Sequence, residues 1–137
     1  MQLDMTRPCF LVVDREYSGS ISTRKLVIET AKFNVLTAYS AKEAVDVLAK
    51  FPAVNGVVLD AGIGDMDCCE LIEKLKEIVP KLVVILISWP GAKGCDRADY
   101  QLESFNPARL LALLQQLEPE ETAAINQHDV SLKKFEN

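Results

Sequence analysis

Val57-Val58-Leu59-Asp60-Ala61-Gly62-Ile63-Gly64-Asp65-Met66-Asp67 is a short apolar run ending in a carboxylate, followed by a glycine-containing loop and an acidic helix start. Continuous apolar runs of this length suit a parallel strand covered by helices on both faces. A carboxylate at the end of such a strand leaves the core and enters the crevice beyond the sheet's carboxyl edge, where open α/β sheets bind ligands. Cys9-Phe10-Leu11-Val12-Val13 runs into Asp14 in the same way. Two strand-end aspartates therefore organise the chain.

Outward from them, strands alternate with helices. Strand one covers 9–14, and a helix at about 20–32 carries Val27, Ile28 and Ala31 on one face. Val35 to Tyr39 is strand two. Ser40-Ala41-Lys42-Glu43 is a capping box opening a helix with Ala41, Ala44, Val45, Leu48 and Phe51 at helical spacing. Strand three is 56–60. Asp67, with Glu70 three residues on, caps a helix that should bury Leu71, Ile72, Leu75, Ile78 and Val79, and Pro80 stops it. Leu82 to Ile87 is the most apolar strand and is expected to be central. Asp99 to Leu102 is short and polar, as an edge strand should be. Asn106-Pro107 opens a last helix through Leu110, Leu113, Leu114 and Leu117. This order predicts an α/β fold, a five-stranded parallel sheet with right-handed crossovers and helices on both faces.

The 137 residues suffice for one domain, 9–117, after a lead-in at 1–8 and before a polar tail at 118–137 with Ile125, Leu132 and Phe135 as sparse anchors. A net charge of −5 argues against a general nucleic-acid or membrane-surface binder, since both need a basic face. No apolar run is long enough to span a bilayer, and the N-terminus lacks the regions of a secretion signal, so a cytoplasmic location is expected. The cysteines Cys9, Cys68, Cys69 and Cys95 contain no C-x-x-C pair and are expected to be reduced thiols. The single histidine, His128, lies in the tail, which weighs against zinc sites and against Ser-His-Asp chemistry.

Over residues 8–117 the chain resembles a bacterial response-regulator receiver domain. Asp60 matches the family's phosphoacceptor at the end of strand three, and Ile63, Gly64, Met66 and Asp67 resemble the loop after it. Ser88 matches the hydroxyl that meets an incoming phosphoryl group, Tyr100 the switch aromatic, and Phe105 the Phe of the K-P-F motif. The resemblance implies a flavodoxin-like sheet of order 2-1-3-4-5, which makes strands one and three neighbours and brings Asp14 beside Asp60. It implies a non-enzymatic module of phosphorelay signal transduction, with a sensor kinase or an output protein as partner and a homodimer through strand five and the last helix.

Three departures from the family pattern bear on chemistry. Asp14 is followed by Arg15 instead of a second acid, and Glu103 stands in place of the family's Lys, with Ser104 after it. Charge gathering on a transferred phosphoryl group needs a hard cation and a Lys, and Mg²⁺ needs several oxygen ligands. Mg²⁺ at Asp14 and Asp60 is therefore expected to bind weakly, and the module to be phosphorylated poorly at Asp60 or to act through binding alone. Arg15 is expected to reach Asp60 or Asp14 and occlude the site with its own charge. Glu16, two positions past Asp14, is the remaining candidate carboxylate. Only fourteen residues separate Ser88 from Glu103, including Pro90, Gly91 and Gly94, so the fourth helix should be shortened or missing.

For Asp60 a purely structural role also stands, as a strand-end carboxylate capping backbone amides. A small flavodoxin-fold cofactor binder or enzyme is the alternative class. Ser18-Gly19-Ser20 weakly echoes a flavin phosphate loop, and neither aspartate has the second Asp two positions on that a haloacid-type phosphatase wants.

Overall fold

Alternate side chains of β1 (Cys9–Val13) face opposite layers. Leu11 and Val13 join one apolar cluster, while Phe10 and Val12 join another on the far side of the sheet. This is the reason the strands read as unbroken apolar runs: neither face meets water. The computed structural model describes residues 7–15, 22–119, 122–123 and 125. Along them follow α1 (Thr23–Thr30), β2 (Asn34–Ala38), α2 (Ala41–Lys50), β3 (Gly56–Asp60), α3 (Cys68–Ile78), β4 (Val83–Ile87), β5 (Tyr100–Leu102) and α4 (Pro107–Leu117).

The five strands are parallel in the order β2-β1-β3-β4-β5. This is the flavodoxin-like arrangement expected, with one correction. The central strand is β3, buried at all five positions, and β4 lies between it and the short edge strand β5. Apolarity reports burial on both faces, which every inner strand shares, and does not rank positions among them. β3 begins with glycine because a Cβ at Gly56 would lie 2.8 Å from the Phe10 ring and 2.9 Å from the Val83 carbonyl oxygen.

Helices α2 and α3 cover one face through Leu48, Leu71, Ile72 and Leu75, and α1 and α4 cover the other through Val27, Ile28, Leu110 and Leu114. Phe51, predicted as core, is 53% exposed, because α2 ends at Lys50 and the chain turns before Phe51 can face the sheet. Leu113 and Leu117 are only partly buried against the second cluster. Ile125 packs against the same layer, while Leu132, Phe135 and His128 lie outside the described residues, as do 16–21 and the loop echoing a flavin site.

No helix lies between β4 and β5. Residues 89–99 form turns and an irregular strap laid against α3 on the face that α2 and α3 cover. Cys69, Glu73 and Lys76 occupy one stripe of α3, spaced i, i+4, i+7. They meet alternate residues of the strap: a Cys69–Cys95 disulfide with Cα atoms 5.3 Å apart, Arg97 Nη1 to Glu73 Oε1 at 3.0 Å, and Lys76 Nζ to Asp99 Oδ2 at 2.9 Å. Asp99 also accepts from the Val84 amide at 2.8 Å, and Gln101 Nε2 donates to the Cys95 carbonyl at 2.9 Å. The expectation of four reduced thiols is thus corrected for Cys69 and Cys95. Twenty-six positions apart in sequence, they become neighbours only because the strap crosses the start of α3. Cys9 and Cys68 remain free.

The loop after β3 also anchors α2. Ser40 Oγ accepts from the Glu43 amide at 3.0 Å, and Asp65 accepts from the Ala41 and Lys42 amides at 2.9 and 3.2 Å. The Ala41 bond holds the Asp65 carboxyl below its ordinary value; burial opposes it, and the Lys42 bond adds to the lowering. A lowered folded-state value means stability that is present at neutral pH and lost as pH falls through that value. Asp65 is nearly fully exposed, so solvent screens the effect. Replacing Asp65 with Ala should cost about 0.5–1 kcal/mol in urea unfolding at pH 7, the low end for a cap. The gap to wild type should begin to narrow near pH 4, the ordinary carboxylate value, and close once the carboxyl of the wild type is protonated.

Candidate functional site

Because Val13 pairs with Leu59, the next residues, Asp14 and Asp60, stand side by side at the carboxyl edge of the sheet. Both are buried, at 1% and 6% exposure. Buried carboxylates are tolerated only when hydrogen-bonded and paired with cations, and these two are both.

Asp14 Oδ2 accepts from Ser22 Oγ at 2.9 Å. The same hydroxyl oxygen caps α1 by accepting from the Lys25 amide at 3.2 Å. Asp60 Oδ1 accepts from the Gly62 amide at 2.6 Å, so a strand-end cap is part of its role. A Cβ at Gly62 would lie 3.0 Å from that oxygen and 3.1 Å from Arg15 Nη1, which is why this turn carries no side chain.

The cation is Arg24, from the first turn of α1. Its Nη2 lies 3.0 Å from Asp60 Oδ2 and its Nη1 3.7 Å from Asp14 Oδ2, with the arginine side chain 16% exposed. Its guanidinium carbon sits 4.8 Å from the centroid of the Phe105 ring, a cation–π contact. The Arg24 Nε is buried and has no hydrogen-bond partner. The guanidinium therefore spans both carboxylates and rests on an aromatic face.

The ion pair expected of Arg15 is made here by Arg24. Among the described residues Arg15 forms no ion pair; it is exposed at the rim beside Gly62. Arg15 reaches Gly62, whose amide meets Asp60, while Arg24, the second residue of α1, contacts both carboxylates. A signal for Arg24 did exist in the sequence. Arg24-Lys25 places two cations in the first helical turn, where the helix dipole disfavours positive charge, so a compensating anion is called for.

Ser88 follows the residue paired with Asp60, at the same edge and buried, and its amide donates to the Leu102 carbonyl at 2.9 Å. Glu103, the first residue past β5, is exposed and joins no ion pair among the described residues. Tyr100 begins β5 and is 40% exposed, along a groove shared with Arg109 and Leu113. The structure thus gathers Asp14, Asp60 and Ser88 with Arg24 and Phe105, and leaves Arg15, Glu103 and Tyr100 at the periphery.

Asp14 Oδ2 meets Ser22 and Arg24, and Asp60 meets Arg24 through Oδ2 and the Gly62 amide through Oδ1. No cluster of three His, Cys, Asp or Glu side chains suited to a metal exists among the described residues. Glu16 lies outside them.

No protein-family model matches the sequence, and no curated protein matches it. Solved structures do. The receiver domain of NtrC4 from Aquifex aeolicus is 28% identical with a TM-score of 0.65, covering 80% of this chain and 95% of that one. A response regulator receiver domain protein from Clostridium thermocellum is 19% identical with a TM-score of 0.70, covering 85% and 98%. One from Methylobacillus flagellatus is 21% identical with a TM-score of 0.70, covering 82% and 100%. The fold is that of a response-regulator receiver domain.

Within this receiver fold, an arginine from α1 lies between the two strand-end carboxylates. No helix among the described residues is long and apolar enough to cross a membrane. Removing the guanidinium leaves two buried carboxylates facing each other. Arg24→Leu should therefore destabilise the protein by about 3 kcal/mol in urea unfolding at pH 7. Asp60→Asn added to Arg24→Leu should recover part of that loss, a coupling that a double-mutant cycle would read.

Proposed function

We propose that the protein is a signalling module of the receiver type that works by binding a protein partner, with Asp60 at the phosphoacceptor position paired with Arg24. What supports the reading is the Arg24–Asp60 contact of 3.0 Å in a site where Arg24 also approaches Asp14. A receiver site ordinarily has to gather positive charge around an acceptor carboxylate during phosphoryl transfer. Here a tethered guanidinium already supplies it in the resting protein, bidentate-capable and always charged. The guanidinium thereby stands in for part of the charge that a metal and a Lys would bring, and the position of the Lys carries Glu103 instead.

A permanently paired Asp60 leaves the domain in one state. Output then depends on which partner meets the surface, a sensor kinase, an output protein or a second copy. We assign the binding face to β5 and α4, where Tyr100 is exposed and Trp89, just past β4, is 49% exposed. Large apolar side chains grouped at one edge mark contact surfaces more often than chance exposure does. The reading requires no enzymatic activity of the chain itself.

The test is intact-mass measurement after incubation with Mg²⁺ and a small phosphodonor, comparing wild type with Asp60→Asn, alongside Mg²⁺ titration of the fluorescence of Trp89, the sole tryptophan. Wild type should gain no phosphoryl mass, and millimolar Mg²⁺ should leave the emission unchanged. An Mg²⁺-dependent adduct that disappears in Asp60→Asn would overturn the proposal.

A further inference from the structure

We infer that Cys69 and Cys95 form a reversible redox site that fastens the β4–β5 strap to α3, independently of what happens at Asp60. The strap stands where the sheet needs cover. Cys95 is 3% exposed and belongs to the same cluster as Val84 and Leu86 of β4 and Leu75 of α3, and Ala98 packs against that cluster. Three ties bind it to α3: the disulfide and the pairs Arg97–Glu73 and Lys76–Asp99. The Arg97 and Glu73 side chains are both about half exposed, so their pair contributes little by itself. Asp99 and Gln101 fix the far end of the strap to β4 and to the Cys95 carbonyl. The disulfide is the covalent tie and, with the Gln101 bond to the Cys95 carbonyl, the one nearest the segment from Trp89 to Cys95.

The two sulfurs differ in access. Cys69 is half-buried near the surface of α3 and Cys95 is fully buried. A dithiol reductant consequently attacks Cys69 Sγ, and Cys95 leaves as a thiolate and takes a proton. The second thiol of the reductant then displaces Cys69, which is protonated in turn, and the reductant departs as its own disulfide. Two electrons and two protons pass to the protein. Reoxidation by a low-molecular-weight disulfide runs the same exchanges backwards.

Cys68, next to Cys69 in sequence, does not interfere. Burial, and then the neighbouring Asp67 carboxylate, push its thiol above the ordinary value, so it stays protonated and a poor nucleophile at neutral pH. Cys9, at the opposite end of the sheet, is also raised by burial. The chemistry is thus confined to one pair. Its consequence falls on the segment that begins at Trp89, beside the proposed binding face.

The experiment uses the full chain. Alkylation after denaturation, read by intact mass, should find two free thiols in protein equilibrated with oxidised glutathione and four after treatment with dithiothreitol. Amide exchange of residues 90–98 should accelerate about tenfold or more on reduction, while the inner strands stay protected. Cys69→Ser, at the half-buried position, should show the fast exchange without reductant. Comparing oxidised with reduced wild type needs no variant, so a poorly folding mutant does not spoil the test. Four alkylated thiols in the glutathione-equilibrated protein would overturn the proposal. Equal exchange of 90–98 in both redox states would do so as well.

Discussion

A guanidinium held between two buried carboxylates is the interaction on which the carboxyl edge of this sheet depends. Parallel pairing of β1 with β3 forces Asp14 and Asp60 together, and their separate burial would be costly without a counter-ion. Arg24 resolves that conflict from α1, and Ser22 completes it by serving as both helix cap and donor to Asp14. The start of α1, the ends of two strands and the Phe105 ring thereby become one unit. Phe105 precedes the Asn106 cap of α4, so the same cation also ties the end of β5 and the start of α4 to the site.

Two other charged residues stand near this edge without an ion pair among the described residues: Arg15, exposed beside Gly62, and Glu103, exposed just past β5. The positive charge that meets the carboxylates comes instead from α1, through Arg24.

The face that α2 and α3 cover solved a different problem. With no helix between β4 and β5, part of that face of β4 would lie open, and the strap closes it with few apolar side chains, chiefly Cys95 and Ala98. So small a patch buries too little area to hold a segment down by hydrophobic burial alone. Its retention falls to a ladder of specific ties along one stripe of α3. The opposite face needs no such device, because α1 and α4 pack on it with full-length apolar stripes.

The sequence by itself determined the element order, the parallel sheet, the capping of α2, α3 and α4, the absence of a helix after β4 and the two strand-end aspartates. All of these rest on local physics: hydrophobic period, cap chemistry, and Pro and Gly breaks within a few residues. Strand order came from resemblance to receivers, since apolar runs do not reveal which neighbour a strand takes, and β4 was accordingly misplaced at the centre. Only the tertiary structure decided which arginine meets Asp60. Arg15 adjoins Asp14 in sequence, yet the rotation of the chain leaving β1 sets it on the rim, whereas Arg24 enters from a helix whose direction is fixed by packing on the sheet. Cys69–Cys95 and the Asp65 contacts to α2 were hidden for the same reason. Each joins segments more than twenty residues apart, and a contact of that kind exists only once the sheet has brought the loops at its carboxyl edge together.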